Sequence, residues 1–151
     1  MSEFVAKLIW ERGAAGPLDD HSRDHTLIYG SGQQALGSAA PEYKGAADRL
    51  NPEEAFVGAL SACHMLTFLA IAANKKTPVE RYEDAATGIL AKNAEGRLAV
   101  TEVVLRPMVR FVPGVEVSPE QLDKLHAAAH RGCFIAQSVR TAVRVEAGLL
   151  P

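Results

Sequence analysis

The pattern of apolar and polar positions divides the chain into short strands, one long apolar segment and a second mixed stretch. Phe4 to Arg12 reads as a strand, with Val5, Leu8 and Trp10 as its apolar members. Gly13 to Asp20, with Gly13, Gly16 and Pro17, reads as a turn. His25 to Tyr29 reads as a second strand, and the turn-rich stretch Gly30 to Gly37 returns it as a short third one. Ser38 to Leu50 reads as a loop.

The main helix is predicted from Asn51 to about Ala73. Asn51 can cap it, Pro52 suits the first helical position, and Glu53 and Glu54 favour its positive end. Apolar residues occur all round it, so it is expected to be buried on most sides. Val79 to Ala91 reads as a strand, Asn93-Ala94-Glu95-Gly96 as a turn, and Leu98 to Val112 as an alternating partner strand. Pro107 within that partner predicts an edge or a bulge. Ser118-Pro119-Glu120-Gln121 is a capping box that opens a second helix, with Leu122, Leu125, Ala128 and Ala129 on its apolar side and Gly132 as its break. Cys133 to Val139 predicts a short helical turn, and Thr141 to Ala147 a last strand. The order implies one α+β domain over residues 1–151, with antiparallel sheets packed on a long buried central helix.

Composition narrows the class. Of 151 residues, 48% are apolar and 23% charged, which suits a folded globular chain. The net charge of -2 and the lack of any Lys/Arg run exclude a nucleic-acid partner. Glu3 and Lys7 interrupt the N-terminus, so a secretory signal is not expected and the cytoplasm is the expected compartment. Ala55 to Ala73 approaches the length of a membrane span, with His64 as its only acidic or basic side chain. Strands that need a covering helix favour a buried helix there, and no membrane association is expected.

Two cysteines, Cys63 on the long helix and Cys133 just past Gly132, are the candidate chemistry. In a cytoplasmic chain a pair of thiols points to redox chemistry before a structural staple. Each is also an ordinary core residue by type. Cys133 sits where a helical turn begins, a position expected to lower a thiol's pKa, with His130 and Arg131 nearby. A thiolate attacks a peroxide oxygen to give a sulfenic acid, and a second thiol condenses with it to a disulfide. This chemistry needs no cofactor. It does need a cation beside the thiolate, best an arginine held by a carboxylate. A zinc site of Cys63, His64, His130 and Cys133 is disfavoured, because adjacent helical residues do not readily ligate one ion.

Asn51-Pro52-Glu53-Glu54 followed by Ala59-Leu60-Ser61-Ala62-Cys63 resembles the motif of the OsmC/Ohr family. Cys133-Phe134-Ile135-Ala136-Gln137-Ser138-Val139 resembles that family's second-cysteine motif, and the likeness covers essentially the whole chain. The resemblance implies an OsmC-like fold, an intertwined homodimer with sites at the subunit interface, and reduction of organic hydroperoxides. It implies that Cys63 is the peroxidatic cysteine, Cys133 the resolving one, and Glu53 the carboxylate that orients an arginine. A dithiol reductant would reset the disulfide. Glu53 and Cys63 are ten residues apart on one helix, about 15 Å of rise, so in a shared site Glu53 is expected from a second chain. The arginine is either Arg23, which is favoured, or Arg49. His64 and His130 depart from the family pattern and leave the substrate open. The rival reading is a non-catalytic dimer that binds a small molecule.

Overall fold

The computed structural model describes residues 1–12 and 20–151. The turn predicted over Gly13–Asp20 lies, Asp20 apart, outside the described residues. The chain divides into two compact units, Met1–Ala55 and Phe56–Pro151.

The first unit is a three-stranded antiparallel sheet. Strands β1 (Ala6–Ile9), β2 (His25–Tyr29) and β3 (Gln34–Gly37) run in the order β1-β2-β3. The β2–β3 turn closes when Gly32 donates to the Tyr29 carbonyl at 2.8 Å. Gly32 has φ of +83°, a left-handed conformation that a glycine adopts without strain. The loop beyond β3 is tied down by buried Ser38, whose hydroxyl donates to Asp24 Oδ1 at 2.9 Å and accepts from the Ala46 amide at 3.0 Å. All four residues of β1 are exposed in the single chain.

In the second unit, β4 (Val79–Asp84), β7 (Pro107–Phe111) and β9 (Gly148–Leu149) form one sheet in the order β4-β7-β9. Strands β5 (Thr87–Lys92), β6 (Leu98–Leu105) and β8 (Ala142–Val145) form another, in the order β5-β6-β8. The β5–β6 hairpin turns where predicted, with Asn93 Oδ1 accepting from the amides of Glu95 and Arg97. β8 and β9 add in parallel to β6 and β7, so the sheets are mixed.

Two expectations change here. The strand predicted over Val79–Ala91 is two strands in different sheets, and Leu98–Val112 is likewise broken at Arg106. Asp84 explains both breaks. Its Oδ1 accepts from the Arg106 amide at 2.6 Å, satisfying a donor that leaves one ladder before the next begins. Pro107 marks neither an edge nor a bulge, because β7 is the central strand of its sheet. It is the first residue of β7, where a missing N–H is tolerated. The register shifts fall instead between Val79 and Arg81 of β4 and between Ile89 and Leu90 of β5.

Helix α1 (Pro52–Asn74) starts in the first unit and continues through the second, which also holds α2 (Pro119–Gly132) and α3 (Phe134–Gln137). The Ser118 capping box that opens α2 is fully formed. The expectation that α1 is buried on most sides does not hold within one chain. Its buried residues are Leu60, His64, Phe68 and Ala72, a single stripe at spacing four. Ala59, Ala62, Leu66 and Ala70 are exposed, Leu66 by 62%. The sheets and α2 cover only one side of an apolar helix.

The buried stripe packs in two clusters. Phe68 and Ala72 join Leu122, Leu125 and Ala129 of α2 with Val109 of β7, while Leu60 joins Val103 and Leu105 of β6. Within the seam, His64 Nε2 and His126 Nδ1 share a hydrogen bond of 3.0 Å. The two rings are 5° from parallel, and Phe68 stacks on His126 at a centroid distance of 4.3 Å. Burial pushes His64 down to about 4, assisted by the charge of His130 and opposed by that of Asp84. Burial likewise pushes His126 down to about 4, assisted by His64.

Both imidazoles are therefore neutral in the folded protein and take up protons on unfolding. Stability is complete above the unfolded value of about 6.5 and is lost as pH falls from there toward 4. Urea unfolding between pH 7.5 and 4.5 is expected to show a slope approaching two protons, about 2.7 kcal/mol per pH unit at its steepest. The variant His64→Leu/His126→Leu should flatten that slope; an unchanged slope would assign it to other groups.

Candidate active site

Cys63 lies one residue before the buried His64, so its thiol is turned off the core stripe and is half-buried. Cys133 is buried, at 1% exposure. It follows the last residue of α2 and is the N-cap of α3, where its Sγ accepts from the Ala136 amide at 3.4 Å. Gly132 lets the end of α2 close on α1. A Cβ added there would lie 3.0 Å from Cγ2 of Thr67, a separation that forces the neighbour to shift. Thr67 is one turn beyond Cys63, and its hydroxyl donates to the Cys63 carbonyl at 2.9 Å.

The two cysteines are free thiols, and Cys63 is near enough to Cys133 to act on its titration. Burial pushes the Cys133 thiol up, and the neighbouring Cys63 pushes it further. The Ala136 amide acts in the opposite direction and is outweighed. The lowered pKa expected for Cys133 at a helix start is thus corrected: desolvation of the thiolate exceeds the stabilisation from one turn of helix. Cys133 is held as a neutral thiol.

The other sequence candidates belong to the first unit. Arg23 Nη1 pairs with Asp20 at 2.9 Å and also donates to the His21 carbonyl. That guanidinium holds the Asp20 carboxyl below its ordinary value. Arg49 Nε pairs with Asp24 Oδ2 at 3.3 Å, and Asp24 in turn accepts from Ser38. Arg23 also lines a cleft of about 410 Å³ with Trp10, His21, His25 and Ser38. Glu53 and Glu54 differ in role. Glu54 forms the reciprocal cap with Asn51: its amide donates to Asn51 Oδ1 at 2.8 Å, and its Oε2 accepts from the Asn51 amide at 3.3 Å. Among the described residues, the Glu53 carboxylate has no hydrogen bond or ion pair.

His64 is bonded to His126, not to the thiols. Among the described residues, no group of three or more His, Cys, Asp or Glu is arranged to hold a metal ion. The sequence reading missed His126, Tyr82 and Asp84. His126 was visible in principle, because it falls on the Leu122–Leu125–Ala129 stripe at helical spacing. Tyr82 and Asp84 are two apart on β4 and so share a face. Asp84 Oδ2 accepts from the Ser61 hydroxyl at 2.5 Å, while the buried Tyr82 hydroxyl has no partner among the described residues.

The division between the glutamates predicts a division of effects. Asn51→Ala removes the cap and should cost about 1 kcal/mol of stability. Glu53→Gln should change stability by less than about 0.5 kcal/mol. Chemical denaturation of both variants checks this; a large loss in Glu53→Gln would make Glu53 a structural residue.

The family described as OsmC-like protein matches residues 45–148. No match was found among curated proteins. Among solved structures, an OsmC-like protein of unknown function from Vibrio cholerae is 44% identical, with 97% of this chain and 99% of that one covered and a TM-score of 0.93. An organic hydroperoxide resistance protein OsmC from Legionella pneumophila shares the fold at 18% identity, with 99% and 98% covered and a TM-score of 0.73. The organic hydroperoxide resistance protein OhrB of Bacillus subtilis does so at 22% identity, with 97% and 98% covered and a TM-score of 0.66. With a match over residues 45–148 and a fold shared along nearly its whole length with the Vibrio protein, the chain belongs to the OsmC-like family.

Proposed function

We propose that this chain is a thiol peroxidase that reduces organic hydroperoxides, with Cys63 attacking and Cys133 resolving. The observation that carries the reading is the meeting of two free thiols at the junction of α1, α2 and α3. The attacking thiolate takes the distal oxygen of the hydroperoxide, and its O–O bond breaks. Cys63 becomes a sulfenic acid and the alkoxide leaves as the alcohol after gaining a proton. The Cys133 thiol then condenses with the sulfenic acid, releasing water and forming the Cys63–Cys133 disulfide. A neutral Cys133 suits that order, because a thiol held protonated does not compete for the peroxide. A dithiol reductant returns both cysteines to thiols.

Cys63 needs a cation, and Arg23 is the better candidate. Its partner Asp20 is 58% exposed and water can replace it, so exchanging that partner costs little. Arg49 is held through Asp24 to buried Ser38 and is harder to release. Glu53, uncommitted among the described residues, is the carboxylate to orient the arginine, and the length of α1 supports its serving the other chain's site. The homodimer this requires agrees with the exposed apolar stripe of α1 and with β1, where Leu8 is 59% exposed.

A second reading, a non-catalytic small-molecule binder, has one observation in its favour. A cleft of about 760 Å³ in the second unit, lined by Phe56, Val100, Val139, Lys92 and Arg140, contains neither cysteine.

Thiol titration before and after one equivalent of cumene hydroperoxide decides between them. Loss of two thiols per chain within seconds, abolished in Cys63→Ser, is expected. Cys133→Ser should react once, accumulate over-oxidised Cys63 and fail to turn over. Arg23→Ala should slow the first oxidation about 100-fold or more, and Arg49→Ala should not. No thiol loss over minutes would leave only the binding reading. Sedimentation should give a dimer for the native chain, and Leu66→Glu should weaken it and lower activity in parallel.

A further inference from the structure

The thiols meet where α1 and α2 meet, and there His64 Nε2 and His126 Nδ1 share a hydrogen bond of 3.0 Å between the two helices. We infer that His64 and His126 are positioning residues for disulfide formation: their hydrogen bond clamps α1 to α2 so that the two thiols face each other, and protonation releases the clamp. The inference rests on the dithiol step of the proposed function and not on the identity of the peroxide.

Geometry places the clamp beside both sulfurs. His64 is the residue after Cys63, and His126 precedes Cys133 by two helical turns on α2. The pair is almost fully buried, at 1% and 3% exposure, between Leu60 and Phe68 on α1 and Leu122 and Leu125 on α2. Leucines would fill such a seam without desolvating polar atoms, so packing alone does not call for two imidazoles.

The bond is also specific to one protonation state. Among the described residues, His64 Nδ1 and His126 Nε2 have no partner, so neither ring has an acceptor there waiting for a second N–H. One proton added to the neutral pair puts a charge in the seam. A second makes both facing nitrogens donors and removes the bond. The groups facing the pair do not compensate. On α2, His130 opposes a charge on His64; on β4, Asp84 favours one, and the Tyr82 hydroxyl stays neutral because burial pushes its pKa up. Burial has the largest effect on both rings. By reciprocity, anything that holds the thiols together must also favour the neutral pair.

The test uses glutathione, so that it does not depend on peroxide reactivity. Cys63 and Cys133 give up two electrons and two protons as one glutathione disulfide becomes two glutathiones. The equilibrium constant of that exchange, measured with a diselenide catalyst, reports how well the fold holds the thiols together. It should be measured from pH 7.5 to the lowest pH at which near-ultraviolet circular dichroism stays native. In the native chain it should fall about tenfold over this range, the effect of one unit of pKa difference between clamped and released forms. His64→Leu/His126→Leu should hold it constant within about threefold. His126→Asn, whose amide can replace the bonded Nδ1 but cannot charge, should keep the pH 7.5 value and lose most of the pH dependence. In addition, the His64 and His126 ring protons, followed by NMR, should titrate at lower pH in the disulfide form than in the dithiol form. A pH-independent constant in the native chain, or the same pH dependence in the double variant or in His126→Asn, would overturn the inference. A normal glutathione response with no hydroperoxide consumption would instead overturn the proposed function and leave the clamp standing.

Discussion

The distance between α1 and α2 is the constraint on which the rest depends. Cys63 is on one helix and Cys133 is at the end of the other, so their separation is set by how closely the two can pack. Small residues set the limit: Ala72 and Ala129 lie in the seam, and Gly132 leaves no room for a side chain against Thr67. Phe68 fills the remaining volume. The histidine pair supplies what apolar packing cannot, a directional bond with one preferred arrangement. Interiors packed to crystal-like density move between discrete arrangements and do not deform smoothly.

The same seam divides the labour of the two thiols. Cys133 lies deep enough that burial outweighs the amide donated by α3, and it stays neutral. Cys63, one residue off the buried stripe, keeps access to solvent. The imidazole next to it in sequence carries no charge at neutral pH, so it lends no positive potential to a thiolate. The proposed function therefore calls on a guanidinium for activation. Of the two candidates, Arg23 is paired with Asp20 and Arg49 with Asp24.

Much of this was legible in the residues. The caps were, because Asn51-Pro52 and Ser118-Pro119 signal helix starts through local chemistry alone. The β5–β6 hairpin was legible for the same reason, since Asn93 and Gly96 fix the turn. The sheet-switching breaks at Ala85 and Arg106 were not. They depend on a side chain of one strand satisfying the amide of another 22 residues away, a contact that no window along the chain contains. The two cysteines were legible as a pair only through the family motif; spacing does not say that residues 70 apart will touch. His64 was visible as an oddity beside Cys63. Its partner was not, because a histidine on an apolar stripe looks like any other stripe residue until the facing helix is known.

The exposed side of α1 sets one last problem. The helix is long and apolar enough to cross a bilayer, and only 22% of its most apolar window is buried in a single chain. Something must cover the rest. Lipid is a poor match. α2 packs along the opposite face of α1, and its outer surface carries Glu120, Asp123, Lys124 and Arg131, all exposed. A bilayer deep enough to cover the Leu66 side would draw those four charges toward hydrocarbon, at a cost of several kcal/mol for each one buried. The exposed stripe itself is built from Gly58, Ala59, Ala62 and Ala70 around Leu66. Small residues at helical spacing let two backbones approach closely, the requirement of a helix lying against another helix. A second α1 satisfies that requirement. In the homodimer proposed above, Glu53 of one chain would serve the thiol of the other, which one continuous helix cannot do alone.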